Sequence, residues 1–280
     1  MAGVRAVRAY LRVESDGPVA FHTAKIVKTL LYTLFREARL YRGLRGVVSP
    51  IHVSPLFRPG RREWELGELV TARYTRGEDG YKLEPAALGG VYLAHIGGAA
   101  ELVEGAMRAL ERLRTPLQVK IGDALVVAAL EGARDVTPDI MGKELSGDRV
   151  TVYLKAPVKL FNVFTPTRLP KYSISAVELL MTPYMFHTGR FTMTEAVLLE
   201  ASRLLGLMVE TYYSISTVRY MQVPLGGGRD PGMVGKITYI IDTSNPNARS
   251  AIADILRTAE AVGVGESRAN GFGTVAWTPK

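Results

Sequence analysis

The chain has 280 residues, room for one large domain or two of ordinary size, and its 47% hydrophobic content is enough to fill real cores. Its formal charge of +8 suits an anionic partner, and the cations are mostly arginine, which favours bidentate contact with phosphate. The absence of cysteine excludes disulfides and thiolate metal sites, and no apolar run is long enough to span a bilayer, so the expectation is a cytoplasmic protein with no membrane partner.

Val4 to Val13 alternates apolar with basic residues, as a half-buried strand does and a signal peptide does not. Thr23 is placed to cap a helix predicted to run to about Leu40, with Val27, Leu30, Leu31, Leu34, Phe35 and Ala38 on its apolar stripe. Strand-like segments follow around 51–53, 65–74 and 91–96. A second helix is predicted from about Ala99 to Leu113, with Leu102, Val103, Ala106, Met107 and Leu110 inward, and Leu117 to Leu130 reads as a strand pair or one long bent strand.

The polar stretch Met141 to Asp148 marks a boundary, giving domains at 1–145 and 146–280. The second domain is predicted to open on a strand at Val150–Pro157, followed after a long, unpatterned connection (Lys159–Arg190) by a helix at Thr192–Val209 carrying Ala196, Leu199, Leu204 and Met208. A hairpin follows, formed by Tyr212–Pro224 and Met233–Asp242 around Gly226-Gly227-Gly228, then a helix at Ala248–Ala261 and a strand at Gly271–Trp277. Each half approximates βαββαβ, so the expected fold is α+β: tandem ferredoxin-like domains with a basic cleft between their sheets.

The most distinctive segment is Gly263-Val264-Gly265-Glu266-Ser267-Arg268-Ala269-Asn270-Gly271-Phe272-Gly273. Its four glycines, Gly263, Gly265, Gly271 and Gly273, let the backbone coil tightly and aim N–H groups at one point, and Arg268 adds a cationic fork, which suits a polyanion. Nucleotide cradles run from strand into helix; here the order is reversed, Arg268 stands where a third glycine belongs, and no Gly-Lys-Ser/Thr follows. A glycine-rich turn without a ligand is the plain alternative. Metal chemistry finds no motif, since His22, His52, His95 and His187 are far apart, and Gly-x-Ser-x-Gly is absent.

With its two glycine-apolar-glycine units around five residues including a base, the chain resembles the CRISPR-associated endoribonucleases that cut a long precursor transcript into guide RNAs. The N-terminal strand and helix and the stretch Ser49-Pro50-Ile51-His52-Val53-Ser54-Pro55-Leu56-Phe57 extend the resemblance more thinly. It implies an archaeal-type, metal-independent endoribonuclease without a cofactor, with CRISPR repeat RNA as partner, room for a homodimer, and handover of product to an effector complex. Non-cutting relatives share the motif, so a non-catalytic RNA-binding subunit of such a complex is the alternative. A small-molecule enzyme on the same fold is a third class, disfavoured by the basic balance.

RNA carries its own nucleophile, the 2′-hydroxyl, so the protein must align it, assist proton movement and stabilise developing charge. Lys25, Lys28 and Tyr32 are spaced to share the polar face of the first helix, flanked by Thr29 and Arg36, with His22 just before it; a solvated face would look the same. In the family the resemblance points to, active residues lie on or just after this helix, commonly a histidine with a tyrosine and a lysine, or lysines alone. The stretch Arg39–Val48 holds Tyr41, Arg42 and Arg45 but no histidine, and Ser49 stands where a second lysine of the lysine type is expected. Lys28 is thus the preferred stabiliser, with Lys25, Tyr32 and His22 beside it and His52, at a core edge or on the solvent side, ranked lower. Arg58, Arg61 and Arg62, Arg229 beside the glycine tip, and Arg268 are the expected RNA grips, and Tyr212, Tyr213, Tyr220 and Tyr239 the candidates for base stacking.

Overall fold

The computed structural model describes residues 3–35, 48–160 and 172–280. The first half contributes β1 (Val4–Ser15), α1 (Ala24–Leu34), β2 (Ile51–Val53), β3 (Leu56–Pro59), β4 (Leu66–Val70), β5 (Arg73–Gly77), β6 (Gly80–Glu84), β7 (Gly89–Ala99), α2 (Ala100–Leu110), β8 (Leu117–Ile121), β9 (Ala124–Asp135) and α3 (Thr137–Met141). The second contributes β10 (Arg149–Val158), α4 (Ala176–Thr188), α5 (Glu195–Leu205), β11 (Met208–Glu210), α6 (Ser214–Thr217), β12 (Val218–Leu225), β13 (Gly228–Ile241), α7 (Pro246–Val262) and β14 (Val275–Pro279).

The alternation in β1 buries Ala9, Leu11 and Val13 on one face, against Ile26, Val27, Leu30 and Leu31 of α1 and Leu102, Ala106 and Leu110 of α2. The first sheet runs β4-β3-β7-β1-β9-β8, with β2 also paired to β7; β3-β7-β1-β9 is the four-strand order of a βαββαβ unit. The second runs β14-β10-β13-β12-β5-β6, with β11 on β13, and β14-β10-β13-β12 repeats that order. The tandem ferredoxin-like architecture is thus present, with Gly226 and Gly227 turning the β12–β13 hairpin at φ 60° and 84°.

Four expectations need correction. The boundary at 145/146 does not separate the sheets: the β5–β6 hairpin, from the first half, pairs with β12 through Gln222 and Tyr74 and covers an edge otherwise open to pairing. The long connection contains α4, which is buried on nearly every side, with Leu179, Leu180, Met181, Tyr184, Met185 and Phe186 in the core; it has no amphipathic period to read. The helix expected at Thr192–Val209 stops at Leu205 and buries Val197, Ala201 and Leu205, leaving Ala196 and Leu199 outside and placing Met208 on β11. The first helix ends at Leu34, because Phe35 is extended; Arg36, Ala38, Tyr41, Arg42 and Arg45 lie outside the described residues.

Candidate active site between the two halves

Where the halves meet, a cleft of about 600 Å³ opens. One wall is the polar face of α1, which supplies Lys25, Lys28, Thr29 and Tyr32, with Phe21 and His22 before it. The facing wall is the tip of the β12–β13 hairpin, Pro224 to Gly228, with Tyr74 of β5 beside it; Asp123, in the β8–β9 turn, and Asn270 also line the space. The helix turns its stripe to the core and so leaves its polar residues to this space.

Lys25 is exposed and its ammonium lies 5.6 Å from the centroid of the Phe21 ring. Lys28 and Tyr32 are half-buried, with the Lys28 ammonium 5.4 Å from the Tyr32 ring centroid. Lys28 Nζ also donates a hydrogen bond to Asn270 Oδ1, across the two halves. Beyond the hairpin tip, the exposed Arg229 stacks 4.5 Å from the ring of Tyr81 and 6.0 Å from that of Tyr74.

His22 is held in the interior by hydrogen bonds at both ring nitrogens. It is 1% exposed; Nδ1 lies 2.8 Å from Thr71 Oγ1, and Nε2 lies 3.4 Å from Gly271 O. Burial pushes its pKa down to about 4, so the ring is neutral near pH 7 and serves packing against Phe272. His52 is likewise interior, with Nδ1 3.2 Å from Arg268 O and Nε2 3.1 Å from Thr274 Oγ1; burial, then the neighbouring His95 and Arg268, hold it well below its ordinary value.

The glycine segment also differs from expectation. Gly263, Gly265, Gly271 and Gly273 are buried, at φ 75°, 67°, 93° and 86°, and Val264 and Phe272 are fully packed. Several of its amides are already engaged: Val264 N donates to Gly273 O, Glu266 N to Lys159 O, Gly271 N to Arg268 O and Gly273 N to Pro157 O. Such N–H groups are not offered to a polyanion. Arg268 is 2% exposed; Nη1 donates to Val262 O (2.6 Å) and Nη2 to Ser49 O, and the guanidinium covers the Phe186 ring at 4.9 Å. Burial lowers its pKa to about 9, which leaves it charged at neutral pH beside the carbonyl end of α7. The segment is a bolt between the halves, and the expectation that Arg268 grips phosphate is corrected.

Arg58, on β3, and Arg61 and Arg62, in the β3–β4 turn, are exposed and are not among the residues lining the cleft. Tyr212, Tyr213 and Tyr220 are exposed away from it, whereas Tyr239 is core, its hydroxyl donating to Ile174 O (2.7 Å). Asn270, Asp123 and Tyr74 were missed; Asn270 stands within the distinctive segment, but only packing decides which of its side chains face outward. Among the described residues, no cluster of His, Asp or Glu is placed to hold a metal ion, and no helix is long and apolar enough to cross a membrane.

Residues 161–275 match the family described as CRISPR-associated endoribonuclease Cas6, and that span contains the entire glycine segment. Over that span the chain is similar to the Cas6 family. Its fold is similar to that of the Cas6 (TTHB231) product complex, a Thermus thermophilus protein, with a TM-score of 0.63 at 15% identity over 99% of this chain and 100% of that one. It is similar also to the Cas6 (TTHA0078) substrate mimic complex (TM-score 0.60, 15% identity, 98% and 99% covered). A Cas6-related protein from Pyrococcus furiosus gives a TM-score of 0.55 at 12% identity, with 99% of each chain covered. No curated protein matches the sequence. At these identities the structural likeness speaks for the fold of this chain and leaves its site to be argued from its own residues.

Proposed function

We propose that this chain is a metal-independent endoribonuclease that cuts CRISPR repeat RNA. The observation that carries this reading is the cleft in which Lys25, Lys28 and Tyr32 of α1 face the glycine tip of the β12–β13 hairpin. In the proposed step the 2′-hydroxyl loses its proton and bonds to the adjacent phosphorus, the P–O5′ bond breaks, and the 5′ oxygen takes up a proton. The products are a 2′,3′-cyclic phosphate and a 5′-hydroxyl. Charge grows on the non-bridging phosphate oxygens, and the half-buried Lys28 ammonium stabilises it more than an exposed cation would. Lys25, at the open end of the same face, holds the RNA backbone, and Tyr32 lines the floor beside Lys28. Arg229 lies just outside the cleft, where phosphate reaches it. Proton transfer is assigned to the α1 face, Lys28 first, ahead of His22, which burial holds neutral near pH 7.

The test is incubation with labelled repeat RNA in EDTA, with and without a 2′-deoxy nucleotide at the cut. Cutting should persist in EDTA and vanish with the deoxy substrate. Tight binding without cutting would make the chain a non-catalytic RNA-binding subunit, and no binding would sink both readings. Lys28→Ala should slow cleavage by about 100-fold or more while changing affinity for the deoxy RNA by less than about threefold.

A further inference from the structure

Among the described residues, Asn270 is the one member of the 263–273 segment that lines the cleft. Packing sets its place. Ser267 takes a left-handed conformation (φ 58°) and opens a single 3₁₀ turn, Arg268–Asn270, that Gly271 closes at φ 93°. Gly271 lies against the first residue of α1: a Cβ there would stand 2.1 Å from Ala24 Cβ and 2.7 Å from His22 Nε2. Lys28 is one helical turn beyond Ala24 on the same face. The loop residue next to Gly271 is therefore brought to Lys28, and Asn270 Oδ1 accepts the hydrogen bond from Nζ.

We infer that Asn270 is the positioning residue for Lys28, aiming its ammonium at the scissile phosphate from a loop that belongs to the other half of the molecule. The inference rests on the endoribonuclease reading and adds what makes Lys28 effective. An amide is the right acceptor for this purpose. Its oxygen fixes the direction of Nζ without cancelling the charge, whereas a carboxylate would neutralise the pair and hold the proton more tightly. The site is then assembled only when the loop is seated on α1, which ties cutting to the docking of the two halves.

Single-turnover cleavage of labelled repeat RNA across the neutral to alkaline range tests this, with wild type, Asn270→Ala and Asn270→Asp compared. Affinity is read on the 2′-deoxy RNA and folding by thermal melting. Asn270→Ala should slow cleavage between about tenfold and a hundredfold, the loss expected from misplacing a reacting group by about 1 Å, with affinity within about twofold. Asn270→Asp, the same size and shape, should also cut slowly and move the alkaline limb of the pH profile upward by about one unit. A purely structural role would not move that limb, and the aspartate variant keeps the test informative if the alanine variant melts early. Cleavage by Asn270→Ala within about twofold of wild type, or an unmoved limb in Asn270→Asp, overturns the assignment of Asn270 alone. Failure of the wild type to cut overturns the endoribonuclease reading and this one with it.

Discussion

Arg268 turns its charge inward, and that changes what its loss should do. Two charge-assisted bonds to carbonyl oxygens and a ring contact outweigh the cost of desolvating its guanidinium, because without it Val262 O and Ser49 O lose their buried donor. Arg268→Ala should lower folding stability by about 2–4 kcal/mol, read by denaturant unfolding. The fraction that remains folded should bind repeat RNA with an unchanged salt slope; a slope reduced by about one would return Arg268 to the phosphate contacts. Lys25, Lys28 and Tyr32, by contrast, were legible from spacing, since a helix periodicity fixes a face. The burial of His22 was not legible, since its cover, Thr71 and Gly271, comes from distant parts of the chain.

Among the elements, the glycine segment and the hairpin tip make an instructive pair. Gly271 and Gly227 both sit at positive φ, but a Cβ on Gly271 would drive into Ala24 and His22, while one on Gly227 meets nothing within 4 Å. Gly227→Ala should therefore cost about 1 kcal/mol, from backbone strain alone. Gly271→Ala should cost about 3 kcal/mol or more, because overpacking adds to the strain. Comparing their melting midpoints checks this, and equal losses would mean that the segment is not wedged against α1. The β5–β6 hairpin shows how an element can escape prediction: its strand character was partly visible, but its assignment to the second sheet depends on Gln222 and Tyr74 meeting across 148 positions of chain.

At the scale of the molecule, three buried histidines lie along the seam. His22 reaches Gly271, His52 reaches Arg268 and Thr274, and His95 Nε2 donates to Ala261 O at the end of α7 (2.9 Å). Desolvation pushes all three down, His22 to about 4 and His95 to about 3. In the unfolded chain they titrate near 6.5, so below that value the unfolded state binds more protons than the folded one. Their stabilising effect is complete above about pH 6.5 and is lost as pH falls toward 4 and below, by on the order of a few kcal/mol each for His22 and His95. The thermal midpoint should fall steadily across this window, and His95→Gln should flatten the fall. A midpoint level from pH 7 to 4 would contradict this assignment.

Sequence alone determined the βαββαβ order of each half, the polar face of α1 and the glycine segment that carries the family pattern. These are local properties: periodicity, turn chemistry and spacing act over neighbouring residues. Tertiary structure decided that the amides of Gly263, Gly271 and Gly273 are consumed within the fold, that Arg268 is a bolt rather than a grip, and that Asn270 meets Lys28. Those outcomes depend on which surfaces the two halves bury against each other, and burial between residues far apart in the chain leaves no periodic trace in it.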